Sequence, residues 1–302
     1  MKPTSVIFLI VSVFLVIGGF ATAGVAKQLA ASEGIVLTDE ISEEAGGYIY
    51  SYEYGKDSIG RITVNVKEAD VNIIGGAEKA YVELVNFPEG MYEFSSSNRI
   101  LSIKNNTDLS DLSNIANLAM NFRGLRSFVG YLNMRSLPKT VNIYISGANP
   151  VKIVDCQIQS GNVTLKNCDA PADYNISIGE GNLSVSGIDT KSALNVTVGN
   201  GNADISKCDI SKLAVKVEKG TVTAEAMFDT VEAKIGKGDF NYNSYGSVGL
   251  TKLALFSSIG NITLDGVKHG GYFESSDIPT DNIIDIDIGE GDINIVTMVP
   301  RG

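Results

Sequence analysis

The sequence predicts an all-β protein built as a single parallel β-solenoid, with an N-terminal transmembrane helix and a short helical insert. Three observations predict this: a glycine-centred turn recurring near every 20 residues, alternating apolar residues on both sides of each turn, and a long uncharged run at the N-terminus. The turn glycines are Gly161, Gly181, Gly201, Gly220, Gly238, Gly260 and Gly291, separated by 20, 20, 19, 18, 22 and 31 residues. A fixed period of this size is the mark of a repeat architecture, and the long last interval places an insertion within 265–285.

The flanks define the unit. Two and four residues after the glycine stand pairs such as Val163/Leu165, Leu183/Val185 and Ile293/Ile295. Five and three residues before it stand Cys156/Ile158, Ile176/Ile178, Val196/Val198 and their counterparts, with Ser, Thr, Asn, Lys, Glu or Asp between. Period-two alternation describes a strand with one buried and one wet face, so each unit reads strand, turn, strand, connection. An earlier copy, "ITVNVKEADVNIIGG", puts Val64, Val66, Val71 and Ile73 in the same slots with Ala69 at the turn.

Two topologies use such a unit. Each unit can be one coil of a solenoid, with equivalent strands stacked in parallel ~4.8 Å apart, or each turn can close an antiparallel hairpin. The solenoid accounts for units that repeat side chain for side chain. The residues after the glycines, Asn162, Asn182, Asn202, Thr221, Asp239, Asn261 and Asp292, fit both. Stacked amides can bond along an axis, and Asn and Asp suit turns in any case.

Along the chain, residues 1–27 form the N-terminal anchor or signal segment. The run from Val6 to Ala26 is uncharged and closed by Lys27, and about 20 apolar residues span a bilayer. Ala21-Thr22-Ala23 resembles a cleavage site, which is the secreted alternative; the apolar run continues through it, which favours a retained, single-pass anchor. Residues 28–55 read as a juxtamembrane linker, and 56–302 as the β-domain. Within it, 108–134 breaks the pattern: Leu109, Leu112, Ile115, Leu118, Ala119, Phe122, Leu125 and Val129 recur at three- and four-residue steps, an amphipathic helix that would cover an open edge or contact a partner.

The three cysteines, Cys156, Cys168 and Cys208, fall in slots filled elsewhere by Ile or Val. Cys168 and Cys208 sit two units apart, about 10 Å if stacked, beyond disulfide reach. They read as small buried hydrophobes.

Composition excludes some functions. A net charge of −11 without a basic block argues against nucleic acid. Glu180 and Glu290 precede their glycines, but the same position holds Asn200, Lys219 and Lys237 in other units, so no acidic column forms. Asp285 and Asp287 alternate with Ile284, Ile286 and Ile288 and face solvent. His269 is the sole histidine, no G-x-S-x-G elbow occurs, and no zinc spacing is present. No catalytic, cofactor or metal residues are assigned. The residues singled out are those of the turn and ladder: Gly161, Asn162, Gly181, Asn182, Gly201, Asn202, Gly220, Gly238, Asp239, Gly260, Asn261, Gly291 and Asp292.

The order of an apolar N-terminal segment, "RITVNVKEADVNIIGGAEKAYVELV", "RILSIKN", "LPKTVNIYISG", and then "SGNVTLKNC", "GEGNLSVSG" and "KGTVTAEA" resembles a family of bacterial envelope proteins. This is the candidate-adhesin family, numbered 4097 among the domains of unknown function, and the resemblance covers roughly residues 50–300. It implies a right-handed β-helix-like solenoid, often on a membrane anchor, and occasional association with envelope-stress systems; it supplies no catalytic residues. The expectation is a non-enzymatic extracytoplasmic surface protein of the bacterial cell membrane, serving adhesion, structure or envelope-ligand binding. Its partners would be the membrane through residues 6–26 and a cell-wall glycan or an envelope protein. A polysaccharide-active β-helix enzyme and an accessory or sensor of an envelope-stress system are the alternatives.

Overall fold

The structure is a computed structural model that describes residues 49–53, 59–87, 92–97, 99–105, 137–147, 151–168, 173–188, 192–245, 251–275 and 280–298. The leader at 6–26 and the insert at 108–134 lie outside the described residues. Those described fall in one compact unit, Gly46–Gly302.

Every described element is a strand, and the strands form one curled, mixed sheet. The first group is β1 (Ile49–Glu53), β2 (Arg61–Glu68), β3 (Asp70–Ala77), β4 (Tyr81–Val85), β5 (Tyr92–Ser97), β6 (Ile100–Asn105) and β7 (Thr140–Ser146). The repeats supply β8 (Ile153–Ser160), β9 (Val163–Lys166), β10 (Asp173–Glu180), β11 (Leu183–Ser186), β12 (Ala193–Asn200), β13 (Ala203–Lys219), β14 (Val222–Lys237) and β15 (Phe240–Ser244). The last group is β16 (Lys252–Ile259), β17 (Ile262–Leu264), β18 (Val267–Gly270), β19 (Tyr272–Glu274), β20 (Ile283–Glu290) and β21 (Ile293–Thr297).

Equivalent strands of successive units pair in parallel, in register. Ile176 of β10 lies opposite Cys156 of β8 on one side and Val196 of β12 on the other. Two columns result, joined at the glycine turns. The first, column A, runs β6, β2, β8, β10, β12, the second half of β13, the second half of β14, β20, β16. Column B runs β7, β3, β9, β11, the first halves of β13 and β14, then β15, β21, β17. The inward residues of both columns share one core: Val163, Leu165, Leu183, Leu194, Val198 and Ile293 are each fully buried. Strand alternation is therefore read correctly from the period-two pattern, because a strand can satisfy a dry interior and a wet exterior only by alternating.

Two features depart from the simple repeat. The sheet is mixed, with antiparallel strands at both described ends of the columns. At one end β5 pairs with β6, and β4 lies between β7 and β1. At the other, β19 pairs with β16 and β18 with β17. A column end presents unpaired backbone groups, and a short return of the local chain satisfies them. The second departure is order. β20 and β21, the last in sequence, sit between β14/β15 and β16/β17, and β18 and β19 occupy the insertion expected at 265–285. Similarly, β2/β3 lie between β6/β7 and β8/β9.

Candidate functional site

The turn glycines come first, because they position everything outward of them. Gly181 has φ of 136°, and a Cβ there would lie 1.7 Å from the carbonyl oxygen of Gly161. Gly201 stands in the same relation to Gly181, at 1.8 Å. The turns thus stack backbone on backbone, with room only for hydrogen.

Next to them runs a ladder. The backbone N–H of Asn182 donates to Oδ1 of Asn162 at 3.0 Å, Asn202 N–H to Asn182 Oδ1 at 2.9 Å, and Thr221 N–H to Asn202 Oδ1 at 2.8 Å. Asp70 begins the series by accepting from the Asn162 N–H at 2.8 Å. Beyond Thr221 it resumes with Asp292 N–H to Asp239 Oδ1 and Asn261 N–H to Asp292 Oδ1, each 2.8 Å. Gly260, Gly291 and Gly238 follow the spatial order rather than the sequence order, since a Cβ on Gly260 would meet the Gly291 carbonyl and one on Gly291 that of Gly238. These residues are structural: their polar atoms are turned to one another.

The thiols are also structural. Cys156, Cys168 and Cys208 are buried thiols outside any disulfide. Burial pushes the Cys156 thiol up to about 12 and also raises Cys208, so neither offers a thiolate at neutral pH. Among the described residues, no group of three or more His, Cys, Asp or Glu side chains is placed to hold a metal ion.

The outward face of column A carries a groove of about 530 Å³. Two rows of outward side chains form its walls. One contains Thr63, Asp155, Asn175, Asn195, Ala214 and Glu232; the other contains Asn65, Gln157, Ser177, Thr197, Lys216 and Lys234. The backbone of Val64, Cys156, Ile176, Val196 and Val215 is its floor. Six strands at ~4.8 Å spacing give it a length of about 24 Å. The first row is cross-linked: Asn195 donates to Asn175 Oδ1 and Asn175 to Asp155 Oδ1, both at 2.9 Å, while Arg61 donates to the other oxygen of Asp155 at 2.6 Å. Such a chain fixes the rotamers of exposed amides and leaves each with further donors and acceptors for a ligand.

Two other surface features were not foreseen, because they lie on strands outside the repeat or at its end. Tyr81 and Tyr144 stack with ring centroids 4.1 Å apart, and Glu83 accepts hydrogen bonds from Asn142 at 3.2 Å and from the Tyr144 hydroxyl at 3.4 Å. Burial first, and then the Glu83 carboxylate, push the Tyr144 hydroxyl up to about 12. At the opposite end, Phe256 and the cross-strand Tyr272 are exposed beside Ile259. Asp285 and Asp287 are exposed, as the alternation predicts, and Glu180, Asn200, Lys219, Lys237 and Glu290 stand in one register row.

No family model matches the sequence, and no curated protein matches it. Solved structures do. A candidate cell adhesion protein from Clostridium sporogenes is 15% identical, with 83% of this chain and 100% of that one covered, at a TM-score of 0.31. A candidate adhesin from Bacteroides fragilis is 12% identical, with 84% and 98% covered, at 0.45. A candidate lipid-binding protein from Parabacteroides distasonis is 11% identical, with 83% and 96% covered, at 0.38. These scores carry no argument about what this chain binds.

Proposed function

We propose that this chain is a non-enzymatic, membrane-anchored surface protein of the bacterial envelope, a right-handed β-solenoid whose outward A face holds a polar polymer. Residues 6–26 would tether it and leave the β-domain on the extracytoplasmic side. The stacked units are then successive coils, and the adhesin-like family resembled by the sequence is the family to which the chain would belong. The observation that carries the binding reading is the groove: two rows of mainly polar side chains about 24 Å long, rich in Asn, Gln, Ser and Thr over their first four strands and ending in Lys216, Glu232 and Lys234, above a backbone floor. A ligand with hydroxyls repeating along its length, such as a glycan, finds donors and acceptors at every strand crossing.

The reading is tested with the full chain in mild detergent against immobilised cell-wall glycans and envelope proteins. Retention on a glycan, reduced by Asn175→Ala with Ser177→Ala, supports it. Uniform absence of retention across the panel sinks it. Mass spectrometry of the mature N-terminus and protease accessibility on intact cells test the anchor and its orientation.

A further inference from the structure

The amide chain in the groove stops at Ala214. Asn195 gives its amide N–H to Asn175, so its Oδ1 faces the next strand, where the row holds Ala214 in place of a donor. Asn195 Oδ1 accepts from no described residue. The missing side chain leaves a notch in the wall, with Lys216 in the opposite row of the same strand.

The charges around this notch are unevenly matched. Both carboxylates of the groove are engaged: Asp155 by Arg61 at 2.6 Å, and Glu232 by Lys212 at 3.0 Å. Its two cations, Lys216 and Lys234, form no ion pair among the described residues. They lie directly opposite each other in the parallel register, at ~4.8 Å backbone spacing. Like charges opposite one another on a sheet are destabilising. Asp287, opposite Lys234 in that row, and Glu218 line an adjoining depression that Lys216 and Lys234 line as well, but neither carboxylate forms an ion pair with the two lysines.

We propose that the notch at Ala214 is a subsite for an acidic sugar residue of a polysaccharide. A sugar hydroxyl would donate to Asn195 Oδ1 in the space left by Ala214, and the sugar carboxylate would sit between Lys216 and Lys234. This rests on the reading of the groove as a polymer site, and it adds the ligand's charge and position.

Calorimetry of the full chain in mild detergent uses polygalacturonate oligomers, neutral dextran and polyphosphate. Polygalacturonate is expected to bind at least about tenfold more tightly than dextran, and Lys216→Gln with Lys234→Gln to erase that margin, since a lost charge-assisted bond is about a tenfold effect or more. Ala214→Asn extends the amide chain into the notch and is expected to abolish binding while leaving the melting temperature unchanged or higher, which excludes misfolding. Equal binding of dextran and polygalacturonate, insensitive to the lysines, overturns the acidic assignment and leaves the groove reading standing. Full binding by Ala214→Asn overturns the subsite. Binding of polyphosphate in preference to polygalacturonate overturns the sugar carboxylate. If no polymer binds, the groove reading falls and the subsite with it.

Discussion

At the scale of single residues, backbone contact at the turns dominates. Gly181 and Gly266 both have positive φ, 136° and 84°, but a Cβ meets the Gly161 carbonyl at 1.7 Å in the first and nothing within 4 Å in the second. Gly181→Ala is expected to cost about 2–5 kcal/mol, the sum of backbone strain and overpacking. Gly266→Ala is expected to cost only about 1–2 kcal/mol of left-handed strain. Equilibrium denaturation of the pair checks the difference. Cys156 gives a pH prediction. Its thiol is pushed from 9.0 to about 12 in the folded chain by burial. Below pH 9 folded and unfolded chains both hold the proton. Between about pH 9 and 12 only the unfolded chain releases it, so stability falls across that window by up to about 1.4 kcal/mol per pH unit. Cys156→Val, matching Val64 on the adjacent strand, should flatten the dependence in urea titrations at pH 8 and 10.5. The burial of Cys156 was legible, because its slot holds Val and Ile in other units. The pairing of Lys216 with Lys234 was not, since residues between the apolar slots become neighbours only once the stacking is known.

At the scale of elements, the ladder beside the turns has one gap. Thr221 donates its backbone N–H to Asn202 Oδ1 but has no side-chain carbonyl to offer the N–H of Asp239 on the following strand. Thr221→Asn is expected to restore the acceptor and raise stability by about 0.5–1.5 kcal/mol, the net worth of one hydrogen bond. A thermal shift of the single variant checks this, and Asn182→Ala should move the opposite way by a similar amount. The repeating strands were legible because each carries its own alternation: Ile176 and Ile178, Val196 and Val198 and Ile286 and Ile288 are all buried as their spacing requires. The antiparallel end strands were harder to see. β4 and β19 stand outside the 20-residue repeat, although β4 alternates like the other strands, and what selects them is the unpaired edge they lie against. Ser257 shows the limit of the pattern from the other side. It occupies an apolar slot yet is buried, and its hydroxyl donates to the Gly291 carbonyl at 2.7 Å.

At the scale of the whole molecule, a repeat period identifies equivalent strands but does not say which of them are adjacent. Nothing in the residues around Gly291 distinguishes a place after Gly260 from a place before it, and the long interval between them signals only that something intervenes. The placement of β20 and β21 inside the column has a mechanical result. β16 is held by β20 and β19, and β17 by β21 and β18, with no other paired strand on either among the described residues. A chain cut before Ile283 should therefore lose its grip on 252–274 as well. Limited proteolysis is expected to digest that segment in the truncated form and spare it in the full chain; its survival would contradict the pairing. For a polypeptide made from its N-terminus, the fragment that locks the far end arrives after everything it must hold. An interrupted synthesis then leaves an unfinished product with a loose tail open to proteases, and the arrival of 283–297 seals it.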